Sequence, residues 1–193
     1  GSLILAIGPQ NLFVIEQGLK KNFVFTITTI CAASDVLLIF LGIFIYHTFE
    51  SIPLKVEIIL NILLILFLVN YIKNKLKNFT KSFRVKNKEN SKRIKDIIIK
   101  TLGFTYLNPH VYSDTVFILG NLSKNFTLDD KLFFALGASL ASITFFYLLG
   151  YMSSIFAKLI KRENTWKYIN SFIIIFMTAL VIYIIYETYL RLF

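Results

Sequence analysis

Apolar residues run along this chain in long, nearly uninterrupted blocks separated by short polar connections. Val24–Tyr46 contains one charged side chain, Asp35, and Tyr168–Tyr186 contains no Asp, Glu, Lys, Arg or His. A helix of about 20 apolar residues crosses the roughly 30 Å hydrocarbon core of a bilayer, whereas buried helices of soluble domains seldom keep more than about 14 in a row. The pattern predicts six hydrophobic segments: Ser2–Ile15, Val24–Tyr46, Val56–Ile72, Ile97–Leu122, Leu132–Ala157 and Tyr168–Tyr186. The expected fold is all-α, a polytopic membrane protein forming a single transmembrane domain over residues 1–193. Leu3–Ile15 is too short to cross alone, and the chain opens at Gly1-Ser2 without a Met, so the natural start is expected to be missing.

Composition agrees with the pattern: 56% of the 193 residues are hydrophobic. The formal charge of +10 would point to nucleic acid in a soluble protein, but here Lys and Arg gather between the apolar blocks. Positive charge in that position holds a loop on the cytoplasmic side and meets anionic lipid headgroups, so lipid is the expected partner and nucleic acid is not. The stretch Lys73–Asp96 carries ten Lys or Arg against Glu89 and Asp96 and is expected to be a solvated cytoplasmic loop. Lys20 and Lys21 mark the first loop, and Lys158, Lys161, Arg162 and Lys167 the fifth. The second and fourth loops (His47, Glu50 and Lys55; Lys124, Asp129, Asp130 and Lys131) have no positive excess. Loops one, three and five therefore face inward, and six full spans place both termini outside; a re-entrant first segment would move the N-terminus inside. The lone cysteine, Cys31, reads as a small packing residue.

The two halves, about 1–72 and 97–193, resemble each other weakly. Pro9 stands in the first segment of one half and Pro109 in the first of the other, and each segment is followed by Lys-Asn-Phe (Lys21–Phe23 and Lys124–Phe126). Ser34 precedes Gly42 by the same spacing as Ser142 precedes Gly150. Three spans per half make the second copy insert upside down, the inverted-repeat arrangement of many transporters.

Chemistry-bearing residues fall inside the apolar blocks. Pro9 and Pro109 are expected to break their helices, and the freed backbone groups then need internal partners or a wetted cavity. Gln10, Asn11, Asn108 and His110 flank those breaks. Asp35 lies near the middle of its segment and Asp114 follows Pro109, with no Lys or Arg at mid-segment to neutralise either. A carboxylate at that depth costs several kcal/mol unless paired or hydrated, and is normally functional. The partner is then a proton, a water-filled cavity or a cationic substrate, and a site able to trade one for another suits coupled export. His110 and Asp114 are four apart on one helix face, too few ligands for a hard or borderline metal. Ser34, Ser139, Ser142, Gly137 and Gly150 read as close-packing positions. No phosphate-binding loop, dinucleotide turn or nucleophile elbow occurs, so neither an enzyme nor a cofactor is expected.

Three motifs carry a family resemblance. Ile7–Val14, continuing to Gln17-Gly18-Leu19, resembles the first-span signature of the lysine exporter (LysE/ArgO) family. Cys31–Ile39 is similar to its second-span segment, and Leu107–Thr115, running on to Leu119-Gly120, to its fourth-span motif. Relatives that export homoserine, threonine or neutral amino acids usually carry Asn-Pro-Lys in that motif, whereas the His-Val-Tyr-x-Asp found here resembles the lysine/arginine branch. The resemblance implies export of L-lysine or L-arginine across the bacterial cytoplasmic (inner) membrane, driven by the proton motive force. It makes Asp35 and Asp114 the residues for cation recognition and coupling, with His110 beside them. Gln10, Asn11, Asn108 and Tyr112 would line the substrate site. The third segment departs from the family: it ends Leu68–Lys73 without the usual Gly-rich text and holds no buried basic residue, which puts an ion-pair gate there in doubt. The alternatives are a divalent-metal exporter, an exporter of another amino acid, and a non-transporting membrane subunit or membrane-embedded enzyme. A homo-oligomer is compatible with all of them.

Overall fold

In a computed structural model, residues 8–45, 53–79, 94–157 and 163–192 are described; among them all regular structure is helical. The order is α1 (Pro9–Leu19), α2 (Val24–Ile45), α3 (Leu54–Phe79), α4 (Ile94–Tyr106), α5 (Pro109–Tyr112), a π-helical turn (Ser113–Ile118), α6 (Leu119–Leu122), α7 (Leu128–Phe156) and α8 (Glu163–Leu192). Four of these, α2, α3, α7 and α8, are long and apolar enough to cross a membrane. A helix satisfies its backbone hydrogen bonds within itself, so an apolar block can sit in hydrocarbon. Large apolar side chains on the outer faces, such as Leu66, Leu140, Ile175 and Ile182, are exposed, as a lipid-facing surface requires. The chain is thus a multi-pass helical membrane protein.

Packing is organised around α2, the most enclosed of the four long helices. It lies along α7 on one side and along α4, the π-turn and α6 on another, while α1 also packs against α7. The outer helices α3 and α8 pair mainly with each other, touching the rest through α1, α4 and α5. Asn61 Nδ2 donates to Thr188 Oγ1 at 3.0 Å across that outer pair, and the Thr29 and Tyr147 hydroxyls meet at 2.8 Å between α2 and α7. Most other buried hydroxyls bond back to their own helix, as Thr101 does to the Ile97 carbonyl and Thr105 to that of Thr101. A hydroxyl can satisfy itself this way without an interhelical partner.

The turn after α1 reverses the chain within four residues. Asn22 N–H bonds to the Gln17 carbonyl (3.0 Å) and Lys21 N–H to that of Gly18 (2.9 Å), while Lys21 takes φ 53°. This double bond pattern closes a helix C-terminus through a left-handed residue.

Glycines set the closest approaches. A Cβ on Gly18 would meet the Gly150 carbonyl at 2.6 Å, and one on Gly150 would meet Thr28 Cγ2 at 2.5 Å. One on Gly42 would strike the backbone of the π-turn, Val116 Cα at 2.6 Å and Thr115 O at 2.7 Å. Gly150 therefore packs as the sequence predicts, but Gly137 does not, because nothing lies within 4 Å of its Cβ position. Gly42→Ala is expected to destabilise the protein by about 1–3 kcal/mol, since backbone atoms cannot yield. Gly137→Ala should be neutral or stabilising by up to about 1 kcal/mol through helix propensity. Thermal unfolding of the two purified variants checks this; equal effects would contradict it.

Two expected boundaries shift. The third segment does not stop at Ile72, because α3 continues to Phe79, and α4 begins at Ile94, so both ends of the basic stretch 73–96 are helical. Lys73 and Lys77 point to the exterior while Lys75 turns inward. The fourth segment is not one helix: α4 stops at Tyr106 and a new helix starts at Pro109. Residues 1–7, 46–52, 80–93 and 158–162, which carry part of the first segment and several loop charges, lie outside the described residues.

Candidate functional site

Both intramembrane prolines sit at the first position of a helix, where a missing N–H breaks no hydrogen bond and the fixed φ favours helix. Pro9 opens α1 after Gly8, whose φ of −68° and ψ of 170° are extended, and Gly8 offers no side-chain cap. Pro109 opens α5 after Asn108, also extended, whose Oδ1 accepts the His110 N–H at 3.2 Å. At Pro109 the expected break is present, as a new helix start and not as a kink within a continuing helix; at Pro9 a helix also starts, and the residues before Gly8 lie outside the described residues. The two starts adjoin: a Cβ on Gly8 would lie 3.6 Å from Asn108 Nδ2.

Between them lies a cavity of about 350 Å³, bordered by Gly8, Gln10, Asn11, Asp35, Asn108, His110, Val111, Asp114, Thr115, Ala141, Ser142, Phe145 and Phe146. That volume is in the range of small-molecule sites. Its depth follows from helical rise. The 11 residues of α1 span about 16 Å, and the 13 of α4 about 20 Å. Both distances run from the Lys20 end of the bundle to the two helix starts, so the cavity lies at mid-depth in the helical bundle.

Six of the residues singled out by sequence, Gln10, Asn11, Asp35, Asn108, His110 and Asp114, border this one cavity. Asp35 comes from α2, and its Oδ2 accepts the Ser142 hydroxyl of α7 at 2.9 Å. Ser142, expected to be a packing residue, is instead the hydrogen-bond partner of the half-buried Asp35 carboxylate. Asp114 comes from the π-turn, whose wide helical turn lies against Gly42 of α2. Single π-turns recur at functional sites because they re-aim side chains. The two carboxylates are near enough to interact electrostatically, and His110 is near enough to act on Asp114. Tyr112 is not among the bordering residues; its hydroxyl donates to the Tyr106 carbonyl at 2.8 Å, tying α5 back to the end of α4. No Lys or Arg among the described residues borders the cavity. Among the described residues no three His, Cys, Asp or Glu side chains gather as a metal site.

A second polar cluster, which the sequence pattern did not reveal, lies toward the Lys20 end. Glu16 is 1% exposed and accepts from Lys20, one turn on in α1, and from Lys75 and the Tyr71 hydroxyl of α3. The expectation that no buried basic residue serves the third segment is corrected here: the Lys75 side chain is 10% exposed and ion-paired. Leu64 and Leu68 are fully buried, and Tyr71 and Lys75 continue the same helical face at i+3 and i+4 steps, so the buried stripe leads directly to Lys75. Between cavity and cluster stands an aromatic layer. Phe13 stacks on Phe104 at 4.7 Å, and Tyr71 and Phe67 meet Phe104 edge-on at 5.1 and 4.8 Å. Along α1 the order is therefore Gln10 at the cavity, Phe13 in the aromatic layer, Glu16 in the ionic layer.

The family model for the LysE type translocator matches residues 1–188. The chain is 30% identical over 188 residues to the arginine exporter protein ArgO of Serratia proteamaculans, covering 96% of this chain and 92% of that one. It is 32% identical over 174 residues to ArgO of Pectobacterium carotovorum, covering 89% and 85%. It is also 31% identical over 199 residues to the lysine exporter LysE of Corynebacterium diphtheriae, covering 88% and 87%. No solved structure matches. With helices long enough to span a membrane, a polar cavity at mid-depth and a family match over nearly its whole length, the chain belongs to the LysE type translocator family.

Proposed function

We propose that this protein exports basic L-amino acids, lysine or arginine, from the bacterial cytoplasm across the inner membrane, driven by the proton motive force. The carrying observation is the cavity itself: two carboxylates, Asp35 and Asp114, at mid-membrane with no Lys or Arg on its wall among the described residues. Negative charge held at the wall of a cavity in an apolar surround, Asp35 half-buried and Asp114 open to the cavity, favours an incoming cation, and a carboxylate that loses its cation takes a proton. That exchange couples cation release on one side to proton entry on the return. The names of the relatives, arginine exporter and lysine exporter, support the same substrate class.

Two further parts belong to this proposal. Six crossings arise when α1, and α4 through α6 together, supply the spans not made by single long helices. The halves are inverted repeats, in support of which the packing survives their exchange. The second spans α2 and α7 pair with each other, as do the third spans α3 and α8, and α1 lies on α7 as α4 and the π-turn lie on α2. Gly18 against Gly150 answers Gly42 against Thr115 and Val116. The end bearing Lys20 and Lys75 faces the cytoplasm, by its positive charge.

The test is transport in vesicles containing only this protein. Labelled L-lysine or L-arginine should exchange across the membrane, each competing with the other and neither with neutral amino acids, and an imposed proton gradient should accelerate the flux. Absence of flux for both substrates would overturn the proposal, and flux indifferent to the gradient would overturn its coupling.

A further inference from the structure

Among the described residues of the cavity wall, one buried side-chain atom lacks a hydrogen-bond partner. Gln10 is 5% exposed, and its Nε2 has no hydrogen-bond partner. The Cys31 thiol lies beside this side chain and, as a weak acceptor, offers it at most a poor hydrogen bond. A buried donor left unsatisfied costs about 1–3 kcal/mol, so such groups persist where a ligand satisfies them. Gln10 stands in the first turn of an 11-residue helix, α1, at the end where backbone N–H groups and the helix dipole favour negative charge. Gly8 brings no side-chain acceptor to that end, so it is not capped from within. Asn108 adds a second amide: its Oδ1 is held by the His110 N–H, and its Nδ2 lies against Gly8. The same cavity holds Asp35 and Asp114, which cannot receive an anion.

We infer that the α-carboxylate of the substrate is bound at the start of α1, with Gln10 Nε2 as its donor. The ammonium or guanidinium group then goes to Asp35 and Asp114. This rests on the transport function proposed above and adds a polarity to it: the site takes a cation only when a carboxylate accompanies it. Diamines and agmatine, which share the cationic end of lysine and arginine but lack the carboxylate, leave Gln10 unsatisfied. A site built to hydrogen-bond a group rejects the analogue lacking that group, because its buried donor stays unpaired.

Calorimetric binding to the purified protein in lipid nanodiscs tests this, with L-lysine and 1,5-diaminopentane as probes. The wild type should bind lysine at least roughly tenfold more tightly than the diamine, the equivalent of one lost buried hydrogen bond. Gln10→Met, similar in volume, should lower lysine affinity about tenfold and leave diamine affinity unchanged. Gln10→Glu should weaken lysine further and tighten the diamine. The inference is overturned if the wild type does not separate the two probes, or if both Gln10 variants lower both affinities alike. Asp35→Asn distinguishes the underlying reading: it should weaken both probes, and binding of both at wild-type strength would reject the cation site while leaving the Gln10 ratio to be judged by itself. Failure of the wild type to bind lysine would reject both.

Discussion

Glu16→Leu is expected to be the most destabilising single substitution in this protein, and Lys75→Met added to it should restore most of the loss. The Glu16 carboxylate is buried and receives three donors, from Lys20, Lys75 and Tyr71. Without it, the Lys75 ammonium, on a side chain only 10% exposed, has lost its counter-ion. Breaking a buried pair by removing one partner costs about 3–5 kcal/mol, whereas replacing both with apolar residues of similar volume is often neutral. Lys20 contributes little to the loss, since its side chain is 41% exposed and can extend to water. The Tyr71 hydroxyl is the remaining orphan, so the double variant should stay about 1 kcal/mol short of wild type. Unfolding of the three proteins in one detergent, followed by loss of monodisperse protein on heating, gives the comparison. A Glu16→Leu variant within about 1 kcal/mol of wild type, or a double variant no better than the single, would show that the cluster is not the tie described.

The second large effect concerns transport and not stability. Asp35→Asn should abolish export of lysine and arginine while the protein still accumulates in the membrane. The amide fills the same space and can still accept the Ser142 hydroxyl, so the α2–α7 contact at 2.9 Å survives. What it removes is the negative charge. Truncating one side of a desolvated charge pair costs about 2–5 kcal/mol, or roughly 30-fold to several thousandfold in affinity. Ser142→Ala should do less, about 1 kcal/mol, because it removes a hydrogen bond and leaves the charge. Efflux from cells preloaded with labelled arginine, normalised to the amount of membrane protein, reads both. Export by Asp35→Asn at the wild-type rate would remove this residue from the cation site.

These two acidic residues were not equally legible. Asp35 interrupts a block of apolar residues, and the expense of a carboxylate in hydrocarbon marks it from sequence alone. Glu16 sits at the edge of a short apolar segment with Lys20 one turn away, which is how a solvated surface pair looks. Only the approach of α3 makes it buried, and that approach is tertiary. Lys75 was hidden among the lysines of the basic stretch, although the spacing from Leu64 through Leu68 and Tyr71 places it on the inward face. Pro109 marked a helix break correctly and Pro9 a helix start, since a ring without an N–H has few places in a helix. Neither showed that the two starts adjoin. The π-turn left no trace in composition or period, because a single wide turn is decided by what packs against it, here the bare backbone at Gly42. Ser142 looked like one more small residue until α7 was set beside α2.

The outer pair α3 and α8 has a further consequence in a real bilayer. These helices hold 26 and 30 residues, against 22 in the enclosed α2. At helical rise the outer two are about 39 and 45 Å long and the central one about 33 Å. Only the central helix matches a hydrocarbon core of roughly 30 Å standing nearly upright; the longer ones lean or project beyond it, and the lean grows as the bilayer thins. Although α3 and α8 rest chiefly on each other, their lean is resisted by the apolar core they share with α1 and α4, by the aromatic layer and by the Glu16 cluster. The thickness of the host membrane therefore loads the contacts that join the outer pair to the bundle, among them the tie from Glu16 of α1 to Lys75 and Tyr71 of α3.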